Sequence, residues 1–264
     1  MGLHLADTQR IRAEDIEIAY RVYGQGQPLL LIAGLGAVKE LWNAEFIDGL
    51  ASKFKVIAYD NRGMGETSMG WRELEISRFS EDAANLLDSI DASPAHVLGY
   101  SMGGYIAQEL ALGHPELVDR LVLLGTECGG AHGIRVEPGI LLQMTGVRDG
   151  ERNFLISSEQ LENDGSSIGD LFGTLDSRQD AERLRLQADA IKSWSGTCAR
   201  LPEMDKPTLV ITGSDDIVIL PENAKVLSEL IPGSSLVELE GGHHGLLLQY
   251  PAELARIVAE FLSG

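Results

Sequence analysis

The chain has 264 residues, of which 44% are hydrophobic, enough for one sizeable core, and two cysteines, too few for a disulfide framework. Its net charge of −19, from 40 acidic against 21 basic residues, opposes nucleic acid and anionic membranes and otherwise reads as solubility. No run approaches the roughly 18 apolar residues that span a bilayer, and Met1–Asp7 lacks a basic stretch followed by an apolar one. The expectation is a cytoplasmic protein acting on a small molecule rather than on nucleic acid or a membrane, with Cys128 and Cys198 as two free thiols and a single bridge between them as the alternative.

Taken in chain order, Ile16–Tyr23 alternates apolar and polar residues as a strand does. Gly24-Gln25-Gly26-Gln27 is a turn signal, and Leu29–Ile32 is the fully apolar run of a central parallel strand. Lys55–Tyr59 is another such run. Phe79, Ala83, Leu86, Leu87 and Ile90 share one helical face. Ala95–Leu98 predicts a strand, Tyr105–Leu112 a helix, and Leu121–Leu124 a strand. Strands follow at Thr208–Ile211 and Leu236–Leu239, with helices over Glu222–Ile231 and Pro251–Leu262.

Such alternation implies an α/β fold, a doubly wound and mostly parallel sheet covered on both faces. The pattern breaks after Leu124. Residues 128–205 carry no strand signal, only helix-like pieces such as Ala181–Ile191 and loop material such as Asn163–Ser167. They are expected to form a helical lid inserted into a core of residues 1–127 and 206–264. Leu141, Leu142, Met144, Phe154, Leu171, Phe172 and Trp194 would supply its own core and pocket walls.

The richest motif is Gly99-Tyr100-Ser101-Met102-Gly103-Gly104, because it lies between a predicted strand and a predicted helix. A serine hydroxyl becomes a useful nucleophile when a sharp turn exposes it beside a base and amide donors. Glycines at 99 and 103 leave room where backbone and helix approach. G-x-S-x-G is short enough to arise by chance, so its partners matter. In a doubly wound hydrolase they follow in the order Ser, acid, His. Asp215 and Asp216 lie just past the strand Leu209–Ile211, and Glu127 past the strand ending at Leu124 is a rival acid. His243 and His244 follow the last strand and are the candidate bases. An adjacent histidine pair without further ligands nearby is a poor metal site, so no metal is expected. The oxyanion donors would be the amides of Met102 and, in the loop Ala33-Gly34-Leu35-Gly36, of Leu35. His4, His96 and His114 carry no such context; His132 opens the lid.

With these features the chain resembles the α/β-hydrolase superfamily along nearly its whole length. Asp60-Asn61-Arg62-Gly63-Met64-Gly65-Glu66-Thr67-Ser68 is similar to the superfamily's D-x-R-G-x-G-x-S loop, beside the elbow, the strand Pro207–Thr212 and the histidine loop. The stretch Gly99–Gly130 is most similar to the lid-bearing esterase and enol-lactonase branch. The resemblance favours Asp216, three residues after Gly213, and His244, seven before Pro251. It departs at His243, where this branch usually has glycine, and at Ala33, where many relatives carry histidine.

The resemblance implies a serine hydrolase of small, mostly apolar carboxylic esters or lactones, without a cofactor. Ser101 would be the nucleophile, His244 the base and Asp216 its orienting acid. The same residues also serve carbon–carbon hydrolases and cofactor-free haloperoxidase-like enzymes, and a ligand-sensing protein of little turnover would keep them too. No heptad run specifies an oligomer.

Overall fold

The computed structural model describes residues 6–130 and 178–264. Eight strands of these residues form one sheet: β1 (Gln9–Ala13), β2 (Ile16–Tyr23), β3 (Gln27–Ile32), β4 (Phe54–Tyr59), β5 (Ala95–Tyr100), β6 (Val118–Leu124), β7 (Thr208–Gly213) and β8 (Ser235–Leu239), in the order β1-β2-β4-β3-β5-β6-β7-β8. β2 pairs antiparallel with β1 and β4, and every other neighbouring pair is parallel.

The apolar runs are strands because both faces of the sheet are covered. Along β3, Leu30 and Ile32 enter one core while Leu29 and Leu31 enter the other. The first core is closed by α2 (Ile76–Ser89), α3 (Met102–Gly113) and α5 (Pro221–Leu230), with Leu184 and Ala188 of α4 (Arg178–Ser193) joining it. The second is closed by α1 (Ala44–Ala51), α6 (Leu246–Gln249) and α7 (Pro251–Ser263). Burying the Leu, Ile and Val side chains of both cores, at roughly 1.5–3 kcal/mol each, is what fixes the sheet.

β1 and α1 have no counterpart among the predicted elements. β1 is a short, mostly exposed edge strand, so it lacks an apolar run. Helix α1 carries Gly49 in its interior. It is made by the Asn43 cap, whose side chain accepts from Glu45 N at 2.7 Å, and by buried Phe46, Ile47 and Leu50.

The free-thiol expectation is overturned: Cys128 and Cys198 form a disulfide, with Cα atoms 5.0 Å apart. The segment leaving β6 and the segment after α4 run together. Thr197 N donates to Cys128 O at 2.8 Å, and Trp194 stacks on Tyr105 with centroids 4.5 Å apart. A pairing across 70 residues has no local signature, and with it the thiol argument for a reducing compartment falls away. Of the expected lid, residues 131–177 lie outside the described ones, together with His132, Leu141, Leu142, Met144, Phe154, Leu171 and Phe172. Among the described residues no helix is long and apolar enough to cross a membrane.

Candidate active site

The loops that follow β3, β5, β7 and β8 meet at the carboxyl edge of the sheet, beside the point where β3 stands between β4 and β5. β5 ends at Tyr100 and α3 starts at Met102, so Ser101 makes the whole turn between them. Its φ of +56° is a conformation that a residue with a Cβ adopts only under constraint. The constraint is visible. Ser101 N donates to Leu124 O at 3.0 Å, and Thr126 Oγ1 donates to Ser101 O at 2.8 Å. The flanking glycines are obligatory: a Cβ on Gly99 would lie 2.3 Å from Gly103 O, and one on Gly103 would lie 2.0 Å from Ile32 O.

His244 Nε2 lies 3.1 Å from Ser101 Oγ, and His244 Nδ1 lies 2.8 Å from Asp216 Oδ2. Ser101 is 7% exposed, and Asp216 and His244 are 1% exposed. A carboxylate only accepts, so Nδ1 carries the proton and Nε2 is left to accept from the serine hydroxyl. The second carboxylate oxygen of Asp216 accepts from Val218 N at 2.8 Å and Ile219 N at 2.9 Å, which holds it in place. The acid and histidine loops touch through backbone: Asp215 N donates to Gly242 O at 2.8 Å, and a Cβ on Gly213 would lie 2.2 Å from that oxygen.

The other candidates sit elsewhere. The exposed Asp215 carboxylate accepts from Ser214 Oγ at 2.8 Å. Glu127 accepts from Tyr105 OH at 3.3 Å. His243 places Nδ1 3.2 Å from Gly241 O and donates its backbone N–H to Gln249 Oε1 at 2.7 Å. Among the described residues no group of three His, Cys, Asp or Glu is arranged around a metal position.

Tyr100 and Thr126 were not singled out in the sequence. Tyr100 OH donates to His244 O at 2.9 Å, and its ring lies 5.2 Å from the imidazole. Burial, then the Asp216 carboxylate, push the Tyr100 phenol up, so it remains a neutral donor. Its position before Ser101 was in view, but its partner is 144 residues away.

Met102 follows Ser101 directly, and the loop that carries Leu35 lies beside the serine. A Cβ on Gly34 would lie 3.6 Å from Ser101 Oγ, so the loop after β3 runs close beside the hydroxyl. Met102 is the first residue of α3, where a helix leaves its amides unpaired. Among the described residues neither the Leu35 nor the Met102 amide has an acceptor. Asn61 Nδ2 donates to Ala33 O at 3.0 Å and steadies the loop from the D-x-R-G-x-G-x-S segment. That segment is itself held by a buried ion pair, Lys39 Nζ to Asp60 Oδ2 at 2.9 Å. Lys39 also donates to Glu66 Oε1 at 2.9 Å. This bond leads the causes that hold the Glu66 carboxyl down at about 2. Burial opposes the charge on Lys39, but its bonds to Asp60 and Glu66 outweigh this and hold it above its ordinary value.

Known proteins align with this architecture. "Putative non-heme bromoperoxidase BpoC" of Mycobacterium tuberculosis is 30% identical over 247 residues, covering 87% of this chain and 92% of that one. A poly(3-hydroxyalkanoate) depolymerase of Ectopseudomonas oleovorans is 29% identical over 250 residues, covering 89% of this chain and 84% of that one. The fold is similar to that of the enol-lactonase from Burkholderia xenovorans LB400, with a TM-score of 0.84 and 22% identity over 97% of this chain and 100% of that one. Residues 27–250 match the family model for the alpha/beta hydrolase fold, and the chain belongs to that family.

Proposed function

We propose that this hydrolase cleaves small carboxylic esters or lactones through an acyl-enzyme on Ser101. The observation that carries the reading is the continuous contact from Ser101 Oγ to His244 Nε2 at 3.1 Å and from His244 Nδ1 to Asp216 Oδ2 at 2.8 Å. His244 takes the hydroxyl proton as Oγ bonds to the ester carbon. Asp216 holds the ring in the tautomer this requires and balances the imidazolium that forms. The carbonyl oxygen becomes an oxyanion facing the amides of Leu35 and Met102. Collapse breaks the bond to the leaving alkoxide, which receives the proton from His244. Water then repeats the sequence on the acyl-enzyme and releases the acid. No cofactor enters these steps. Residues 128–205 are proposed as the lid over this site, contributing to substrate choice rather than to bond cleavage.

Hydrolysis of a chain-length series of p-nitrophenyl esters, by wild type and Ser101→Ala in parallel, tests the reading. Turnover abolished by the substitution supports it; turnover unaffected by it, or none with any ester, overturns it.

A second reading uses the same residues for cofactor-free haloperoxidase chemistry, favoured by the name of the 30% identical relative. It requires halide-dependent turnover with peroxide in place of ester hydrolysis.

A further inference from the structure

The loop that carries Leu35 is held from two sides. On the core side, Asn61 Nδ2 donates to Ala33 O at 3.0 Å, and the loop closes on itself through Ala37 N to Gly34 O at 3.2 Å. On the other side stands α4, from the inserted segment. Gly36 N donates to Gln187 Oε1 at 2.9 Å across 151 residues of sequence. Leu184 lies three residues before Gln187 and so shares its helical face. It packs so closely that a Cβ on Gly36 would lie 2.7 Å from Leu184 Cδ1.

Gln187 is fully buried. Since a backbone N–H only donates, the oxygen of its amide must face Gly36, which turns Nε2 away. Among the described residues Nε2 is buried with no hydrogen-bond partner. Burying an amide donor unpaired is costly. A methionine or leucine would fill similar space without that cost. What the glutamine gains is the bond to Gly36, next in sequence to Leu35, in a loop where a Cβ added to Gly34 would lie 3.6 Å from Ser101 Oγ.

We propose that Gln187 is a positioning residue for the oxyanion loop: by accepting from Gly36 N it fixes the Leu35–Gly36 peptide, and so restrains the adjoining Gly34–Leu35 peptide whose N–H is aimed at the developing oxyanion. Helix α4 thereby acts on the chemical step. The inference rests on the acyl-hydrolase reading above and deepens it. A donor displaced rather than deleted gives a loss smaller than the 10²–10³ typical of removing an oxyanion donor.

The test compares wild type, Gln187→Met and Lys192→Gln, an exposed substitution on the same helix, with Ser101→Ala as the blank. A p-nitrophenyl ester is the substrate, and hydrogen exchange is followed over residues 33–37. Gln187→Met is expected to lower kcat by about 10- to 100-fold with KM within about threefold, as for a group acting in the transition state. Exchange at Gly36 should quicken at least about tenfold, while Tm stays within about 3 °C, because one orphaned donor replaces another. Lys192→Gln should match wild type throughout. Unchanged exchange at Gly36 would show that the bond does not exist in solution. Faster exchange with kcat within about twofold of wild type would show that it does not act on catalysis, and a fall in Tm of about 10 °C with KM and kcat both impaired would show a structural role. Each of these overturns the proposal. Turnover that survives Ser101→Ala would instead remove the acyl-enzyme reading and this role with it, while Gly36 exchange still reports the contact separately.

Discussion

His244 Nδ1 meets Asp216 Oδ2 at 2.8 Å where both residues are 1% exposed, and the other oxygen of Asp216 is tied to Val218 N and Ile219 N. The two backbone amides decide what an asparagine would do there. Its Oδ1 must accept from them, so its NH₂ would face the ring. Nδ1 would then be forced to accept and Nε2 to carry the proton, the wrong tautomer for taking a proton from Ser101. Asp216→Asn is therefore expected to lower kcat by about 10⁴-fold with little change in KM. Steady-state kinetics, with circular dichroism to verify folding, check this. A loss under tenfold would show that Asp216 does not set the tautomer.

The adjacent histidines separate cleanly. His244→Ala removes the contact with Ser101 and is expected to cost about 10⁴-fold or more in kcat. His243 faces Gly241 O and the Gln249 side chain instead, so His243→Ala should stay within about fivefold of wild type. Comparable losses in both would contradict the geometry.

The disulfide makes a different claim. Closing a loop of 70 residues restricts the unfolded chain by an amount worth about 4 kcal/mol. Cys198→Ser, or treatment of the wild type with a thiol reductant, is expected to lower Tm by about 10 °C. Thiol titration of the untreated protein should find no free thiol, since the chain holds only these two cysteines. Two titratable thiols and a Tm indifferent to reductant would contradict it.

The Lys39–Glu66 contact carries a pH dependence of defined sign. The Glu66 carboxyl is held at about 2 against an ordinary 4.5, with the Lys39 hydrogen bond as the leading cause. A depressed carboxyl stabilises the folded chain above its unfolded value and loses that contribution as pH falls through the folded one. The Tm advantage of wild type over Glu66→Gln should therefore be full above about pH 5 and shrink steadily below about pH 4.5. An advantage that is constant or grows toward acid would contradict the ion pair.

Much of this was legible in the sequence because the signals are local. Leu29–Ile32 reads as a buried strand since four apolar residues in a row need cover on both faces. Ser101 stands out because strand, glycines and helix are contiguous with it. His244 and Asp216 follow from chain order and from the spacings to Pro251 and Gly213 in a familiar fold. What was hidden depends on pairs distant in sequence: Tyr100 with His244 O, Gly36 with Gln187, and Cys128 with Cys198. In each pair neither member has a neighbour that betrays the other. β1 was missed for the opposite reason, since an exposed edge strand has no need of the apolar run by which strands are recognised.

The central claim is that Ser101 becomes acylated. The direct measurement is rapid acid quench of the enzyme during turnover of a slow p-nitrophenyl ester, followed by mass spectrometry of the peptide containing Ser101. The expected result is that peptide carrying the mass of the acyl group, formed with a burst of p-nitrophenol and absent in Ser101→Ala. Ester turnover without an adduct on Ser101, equally fast in Ser101→Ala, would contradict the mechanism at its first step.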